Sequence, residues 1–185
     1  MTCRHKLTPA SLVLAFLLFL VAASPALAQR TPLRSTVELT AHGGVKFKTP
    51  RWVVAGPNRP EVAILRNEKV KGPDAFLLMM LSVEKAPAKV LDWATVRQNI
   101  IKAARAKKAS LNLTLQEDFT ELQGVQGKRM RGSLLDGEAT LAVEIIALHK
   151  NGKMATVTLI SVASSQGAQN VVSSVAATAV FQPSP

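Results

Sequence analysis

The chain has 185 residues, 48% of them hydrophobic and 19% charged, with one cysteine, no tyrosine and a formal net charge of +11. That length fits one domain of ordinary size and excludes two large ones. The apolar content excludes wholesale disorder, so a single core is expected.

Residues 1–28 read as a secretory signal peptide. Arg4, His5 and Lys6 give a basic start and Ala10 to Ala23 an apolar run. Pro25 then precedes Ala26-Leu27-Ala28, a small-x-small cleavage site. Cleavage after Ala28 leaves Gln29 as the first residue. The alternative is an uncleaved anchor, but the apolar run is short for a bilayer span of about 20 residues and Pro25 interrupts it. Cys3 lies inside this segment and not at the cleavage junction. The processed chain therefore has no cysteine, which excludes disulfides, thiolate metal sites and a cysteine nucleophile. With no second long apolar run, it is expected to be exported, periplasmic or extracellular, and not an integral membrane protein.

Gln29 to Thr36 reads as a flexible leader, and residues 37–182 as a single α+β domain. Val37-Glu38-Leu39 and Val45-Lys46-Phe47-Lys48 alternate apolar with polar around His42-Gly43-Gly44, the pattern of a hairpin. Pro50, Gly56, Pro57 and Pro60 punctuate a loop around Trp52-Val53-Val54. Val62 to Leu65 is a short strand, and Lys71-Gly72-Pro73-Asp74 a turn. Ala75 to Val83, AFLLMMLSV, is short and closed by Pro87, which suits a central strand buried on both faces.

Residues 90–109 carry the clearest helix. Trp93, Val96, Ile100 and Ala104 recur at three- and four-residue steps, Ile101 widens the stripe, and Asp92 is the expected N-cap. A strand starts near Leu113, with Phe119 and Leu122 following towards Gly124. Lys150-Asn151-Gly152-Lys153 is the strongest local signal, because Asn-Gly favours a type I′ turn. It joins Leu141–His149 to Met154–Val162 in a register that sets Leu148 opposite Ala155 and Ile146 opposite Val157. Asp136-Gly137 marks a further turn that adds Lys128–Leu135. Ser164 to Gly167 breaks the sheet, and Ala168, Val171, Val172, Val175 and Ala179 form a helical stripe before Phe181. The sum is an antiparallel sheet flanked by a long middle helix and a C-terminal helix, an α+β layered domain.

The basic charge sits in one half. Residues 29–110 hold 16 basic and 6 acidic residues, against 5 and 6 in residues 111–185. The densest stretch is 93–110, where Arg97, Lys102, Arg105, Lys107 and Lys108 meet no acid. Such a stripe is either a solvated face or a binding surface for an anionic envelope component. Nucleic acid is set aside as a partner, because the stripe lacks interleaved aromatics and the chain is exported.

Taken together, the strand order, the middle helix, Phe119-Thr120-Glu121-Leu122, Gly127-Lys128-Arg129, the closing meander and a C-terminal helix ending Thr178-Ala179-Val180-Phe181 resemble the Mog1/PsbP-like family over about residues 37–182. That resemblance implies an α/β/α sandwich and an accessory or partner-binding role without catalysis. No ligand residue of the family maps onto this chain, and none is carried over.

Catalytic constellations are thin. His42-Gly43-Gly44 matches an esterase oxyanion stretch, but no Gly-x-Ser-x-Gly elbow accompanies it, so a turn is expected. His42 and His149 lack zinc-ligand spacing. Glu117, Asp118 and Glu121 form the one acidic cluster. It is read as a surface patch paired with Lys128, Arg129 or Arg131 and not as a glycosidase pair, since few aromatics are available to line a cleft. Gly124-Val125-Gln126-Gly127 reads as a plain turn, and Asn112-Leu113-Thr114 is a formal glycosylation sequon. The expected function is that of an exported non-catalytic accessory protein, with no cofactor or metal. Its partner is an envelope protein, an anionic surface polymer or a lipid headgroup, bound through Arg97, Lys102, Arg105, Lys107 and Lys108. The alternative is a carrier of an apolar small molecule or lipid, with Met79 and Met80 in its cavity; further behind stands a hydrolase with dispersed polar residues.

Overall fold

The computed structural model describes residues 32–55, 59–67, 77–87, 89–136, 139–162 and 166–183. The segment read as a signal peptide, the start of the segment read as a leader, the turn expected at Lys71–Asp74, residues 75–76 and Gly137 of the expected Asp-Gly turn lie outside them. Among the described residues, ten strands and two α-helices follow in order: β1 (Ser35–Leu39), β2 (Val45–Thr49), β3 (Val53–Val54), β4 (Val62–Arg66), β5 (Leu77–Lys85), α1 (Trp93–Ala106), β6 (Ser110–Asp118), β7 (Gln126–Asp136), β8 (Ala139–Lys150), β9 (Lys153–Ser161), α2 (Gln166–Ala176) and β10 (Val180–Phe181). Seven strands form one antiparallel sheet in the order β3-β4-β5-β9-β8-β7-β6, and β1-β2-β10 form a second, smaller one. The sequence reading had only one sheet.

Local chemistry explains the main joints. Asn151 (φ 53°) and Gly152 (φ 72°) both occupy the left-handed region that a type I′ turn demands. The β8–β9 ladder runs in the expected register, with Leu148 opposite Ala155 and Ile146 opposite Val157. Asp92 caps α1: its carboxylate accepts from the Ala94 N–H at 3.0 Å and the Thr95 hydroxyl at 2.6 Å. Those bonds, the Thr95 hydroxyl foremost, hold the Asp92 carboxyl below its ordinary range. His42 (φ 56°) turns the β1–β2 hairpin, as expected of His-Gly-Gly. β1 begins at Ser35, which pairs with Thr49, so pairing reaches into the segment read as leader.

Period-two alternation sends side chains to two cores, one on each face of the large sheet. Met79, Leu81, Val157, Leu159, Ile146 and Leu148 face α2 and the small sheet, whose Leu39, Val45 and Phe47 complete that core. Met130, Val143, Ile145, Ala147 and Met154 face the opposite way, with Val96 of α1 and Leu113 of β6. The sheet is thus sandwiched between α1 and a layer made of α2 and the small sheet, an α+β domain of the α/β/α kind.

Two sequence expectations change. β5 is not buried on both faces: Met79, Leu81 and Val83 are buried, whereas Met80 and Ser82 are half-exposed. The helix that would cover them packs chiefly on β6 and leaves that side of β5 uncovered by α1. The strands buried on both faces are β8, from Val143 to His149, and β9, from Lys153 to Leu159. Val53-Val54, read as loop, forms a short edge strand on β4.

The helical stripe is phased as expected, but only Val96 is buried in α1, while Trp93, Ile100, Ile101 and Ala104 are half-buried. Val96→Ala should therefore cost more stability than Ile100→Ala, about 1–3 against about 1 kcal/mol, although isoleucine is the larger side chain. Urea unfolding of both variants checks the order; the reverse order would mean that α1 sits deeper on the sheet than described.

Candidate functional site

The middle helix organises a surface where charge and cavity meet. Asp92 stands at its N-terminus, and Arg105, Lys107 and Lys108 crowd its C-terminus, where cations offset the exposed carbonyl ends. The chain then leaves through Lys108, whose φ of 63° ends the helix, and the Ala109 N–H donates back to the Ala104 carbonyl. Lys102, Arg105, Lys107 and Lys108 are exposed and Arg97 is half-buried. Among the described residues none of the five forms an ion pair, although the protein's other cations include four that do, Lys46, Lys128, Arg129 and Arg131.

The five do not share one face. Lys107 borders an open groove of about 370 Å³ between α1 and the strands β5 and β9. Its floor mixes Met80 and Ile160 with the hydroxyls of Ser82, Thr156 and Thr158, and Ile100, Ala103 and Ala104 form the helix wall. The Ser82 and Thr156 hydroxyls bond each other at 2.7 Å, which satisfies part of that floor internally. A second cleft of about 530 Å³ continues past Glu84 to Asp92 and Thr95. Partial burial raises the Glu84 carboxyl above its ordinary range, opposed by the charge of His42. Arg97, Ile101 and Arg105, at four-residue steps, fall on the flank of α1 away from this groove, and Lys108 follows just past the helix end, two residues before β6 begins.

The acidic cluster resolves into ion pairs. Asp118 meets Lys128 at 2.9 Å, and Glu117 meets Arg129 at 3.1 Å and Arg131 at 3.9 Å. Glu121 accepts from the Thr120 N–H. Behind them lies a residue the sequence reading passed over, Glu144 of β8, buried between Arg129 (3.2 Å) and Arg131 (3.7 Å). Arg129 also donates to Ser173 and Arg131 to Gln169, both on α2. The group is a structural latch between sheet and helix, with both arginines committed to it.

Neither histidine lines the groove or the cleft. His42 is exposed, and His149 is buried with Nε2 3.0 Å from the Ala86 carbonyl. Among the described residues no three His, Asp or Glu side chains come together as a metal site would require, and no helix is long and apolar enough to cross a membrane.

No family model and no curated protein matches the sequence. Solved structures do. The Ran-binding protein Mog1p of Saccharomyces cerevisiae is similar at a TM-score of 0.55 and 8% identity, over 80% of this chain and 95% of that one. Cyanobacterial PsbP from Synechocystis is similar at 0.47 and 12%, over 80% and 91%. The Pseudomonas aeruginosa protein PA94, of unknown function, is similar at 0.42 and 12%, over 69% and 83%. The chain thus has a Mog1/PsbP-like fold, as the order of its elements implied, and the likeness is one of fold.

Proposed function

We propose that this chain is an exported, non-catalytic accessory protein that binds an anionic macromolecule or surface of the cell envelope through α1. The observation that carries this reading is the set Arg97, Lys102, Arg105, Lys107 and Lys108, placed on α1 and its C-terminal exit without an intervening acid or an intramolecular ion pair among the described residues. Charges that stabilise the fold are usually paired, as Lys128 and Arg129 are here, whereas unpaired cations leave their field available to a partner. The fold of Mog1p, a Ran-binding protein, suits such a role. Export rests on the basic start, the Ala10–Ala23 run and Ala26-Leu27-Ala28, and the envelope is then where the partner lies.

Reversing Lys102, Arg105 and Lys108 to glutamate together should abolish capture of the anionic partner while the fold survives, because all three are exposed. Crosslinking in intact cells and identification of the captured species, for wild type and triple variant, reads this directly. Capture by the wild-type protein in vitro should also weaken from low to physiological salt, where the Debye length falls to about 8 Å. Equal capture by the triple variant would reduce the basic face to a solvated surface. The second reading, carriage of an apolar molecule, is favoured by the groove of about 370 Å³ with Met80 and Ile160 in its floor. Solvent extraction of the purified protein followed by mass spectrometry distinguishes it: a co-purifying lipid that resists both salt and the triple reversal would favour the carrier.

A further inference from the structure

We infer that the free edge of β6 accepts an extended acidic segment of a partner protein as an added strand, held from above by the Arg97, Arg105 and Lys108 flank of α1. β6 ends the order of the large sheet, and among the described residues no strand pairs with its outer side. From Ser110 to Leu115 it pairs with β7 without a break, the register shifting only beyond Leu115. A regular edge of this length is normally blunted by a charge, a proline or a bulge, because its unpaired N–H and C=O groups template further strands. Ser110-Leu111-Asn112-Leu113-Thr114-Leu115 contains no charged residue, proline or glycine. Strand addition of this kind takes its affinity from main-chain hydrogen bonds and its selectivity from alternate side chains.

The selectivity comes from the helix. The groove lies on the β5 side of α1, so helical phase turns the opposite flank, with Arg97, Ile101 and Arg105, towards the outer edge of β6, and Lys108 joins it in the short exit from α1 to β6. An added strand would set alternate side chains about 5 Å from Leu111, Leu113 and Leu115, on the face that α1 covers. Aspartate or glutamate at those positions comes beneath three cations that have no ion-pair partner among the described residues. The Nε of Arg97 is already desolvated and without a hydrogen-bond partner. A second copy of this chain fits the same edge poorly, because two-fold pairing would bring two such basic flanks against each other.

This inference rests on the proposed anionic partner and narrows it to a peptide, so the test separates the two. The probe is an end-blocked, dye-labelled nine-residue peptide of alternating glutamate and valine, titrated against the whole protein. It should bind, should protect outward-facing amides of residues 110–115 from hydrogen exchange, and should lose binding when its alternate backbone nitrogens are methylated. Arg105→Glu with Lys108→Glu should weaken it on the order of tenfold or more, and Lys48→Glu, which alters charge on the small sheet, should not. Equal binding of the methylated peptide, absence of protection at 110–115, indifference to the double reversal, or no binding of the parent peptide would each overturn strand addition. If the peptide fails while vesicles rich in anionic lipid bind the wild type and not the Lys102, Arg105 and Lys108 reversal, the anionic-surface function stands and the β6 inference falls.

Discussion

Gly132→Ala should come close to preventing folding. A Cβ built at this position would lie 1.7 Å from the backbone carbonyl oxygen of Asn112 and 2.7 Å from its carbon. The obstacle is main chain, so no rotamer change relieves it. Gly132 stands opposite Leu113 in the β6–β7 ladder and opposite Val143 in the β7–β8 ladder. Moving β6 away would uncover Leu113 and Met130, both essentially fully buried, and loosen the seat of α1. The expected loss is about 3 kcal/mol or more, at the upper end of what overpacking costs. A thermal melt of the alanine variant checks it. A shift of only a degree or two would mean that β6 gives way easily, and the edge proposed for strand addition would then be too pliable to act as a template.

The readable parts of this fold were those encoded by neighbours in sequence. Asn151-Gly152 announces its turn because two adjacent residues must reach positive φ, and few sequences tolerate that. The α1 stripe is legible from Val96 and its half-buried companions, since helical periodicity survives even when one residue alone is buried. The second sheet was not legible. Its third strand, Val180–Phe181, is two residues long and pairs with Val45 and Lys46 far earlier in the chain. Besides the ladder, a buried lysine helps to hold it: Lys153, whose Nζ donates to the Gln182 carbonyl at 2.6 Å. A lysine beside a hairpin turn carries no sign that it is buried. The groove escaped for a related reason: AFLLMMLSV looks apolar on both faces, and nothing in its letters says that α1 sits over β6. The sequence showed five cations on one helix but not that Lys107 borders the groove while Arg105 and Lys108 face the sheet edge. Glu144, by contrast, was within reach. With Asp136 opposite Ala139 across the Asp-Gly turn, hairpin counting sets Arg131 opposite Glu144, as observed.

Glu144→Leu should destabilise the protein by about 1–3 kcal/mol, the cost of leaving buried guanidinium N–H groups without the Glu144 oxygens that face them. Arg129 is nearly as enclosed as Glu144, and its remaining acid, Glu117, is 57% exposed. The pairing is close but poorly aligned, since the Nε atoms of Arg129 and Arg131 and Oε1 of Glu144 lack hydrogen-bond geometry. Burial therefore prevails and pushes the Glu144 carboxyl above its ordinary range, against the pull of Arg131 and then Arg129. A carboxyl raised in the folded state binds its proton more tightly there than in the unfolded chain. Its contribution is fully present below the unfolded value and is lost as pH rises through the folded one. Glu144 should thus make the protein less stable as pH climbs out of the usual carboxylate range. Replacing the unit as a whole, Glu144→Leu with Arg129→Met and Arg131→Met, should recover most of the single variant's loss and remove that pH slope. Ser173 keeps a partner in the triple variant, because its hydroxyl also donates to the Gln169 carbonyl at 2.9 Å. Urea unfolding across pH for wild type, single and triple variants measures all of this. A single variant within about 0.5 kcal/mol of wild type, or a triple variant no better than the single, would show that the charges at this face of α2 act separately and that packing alone holds the helix down.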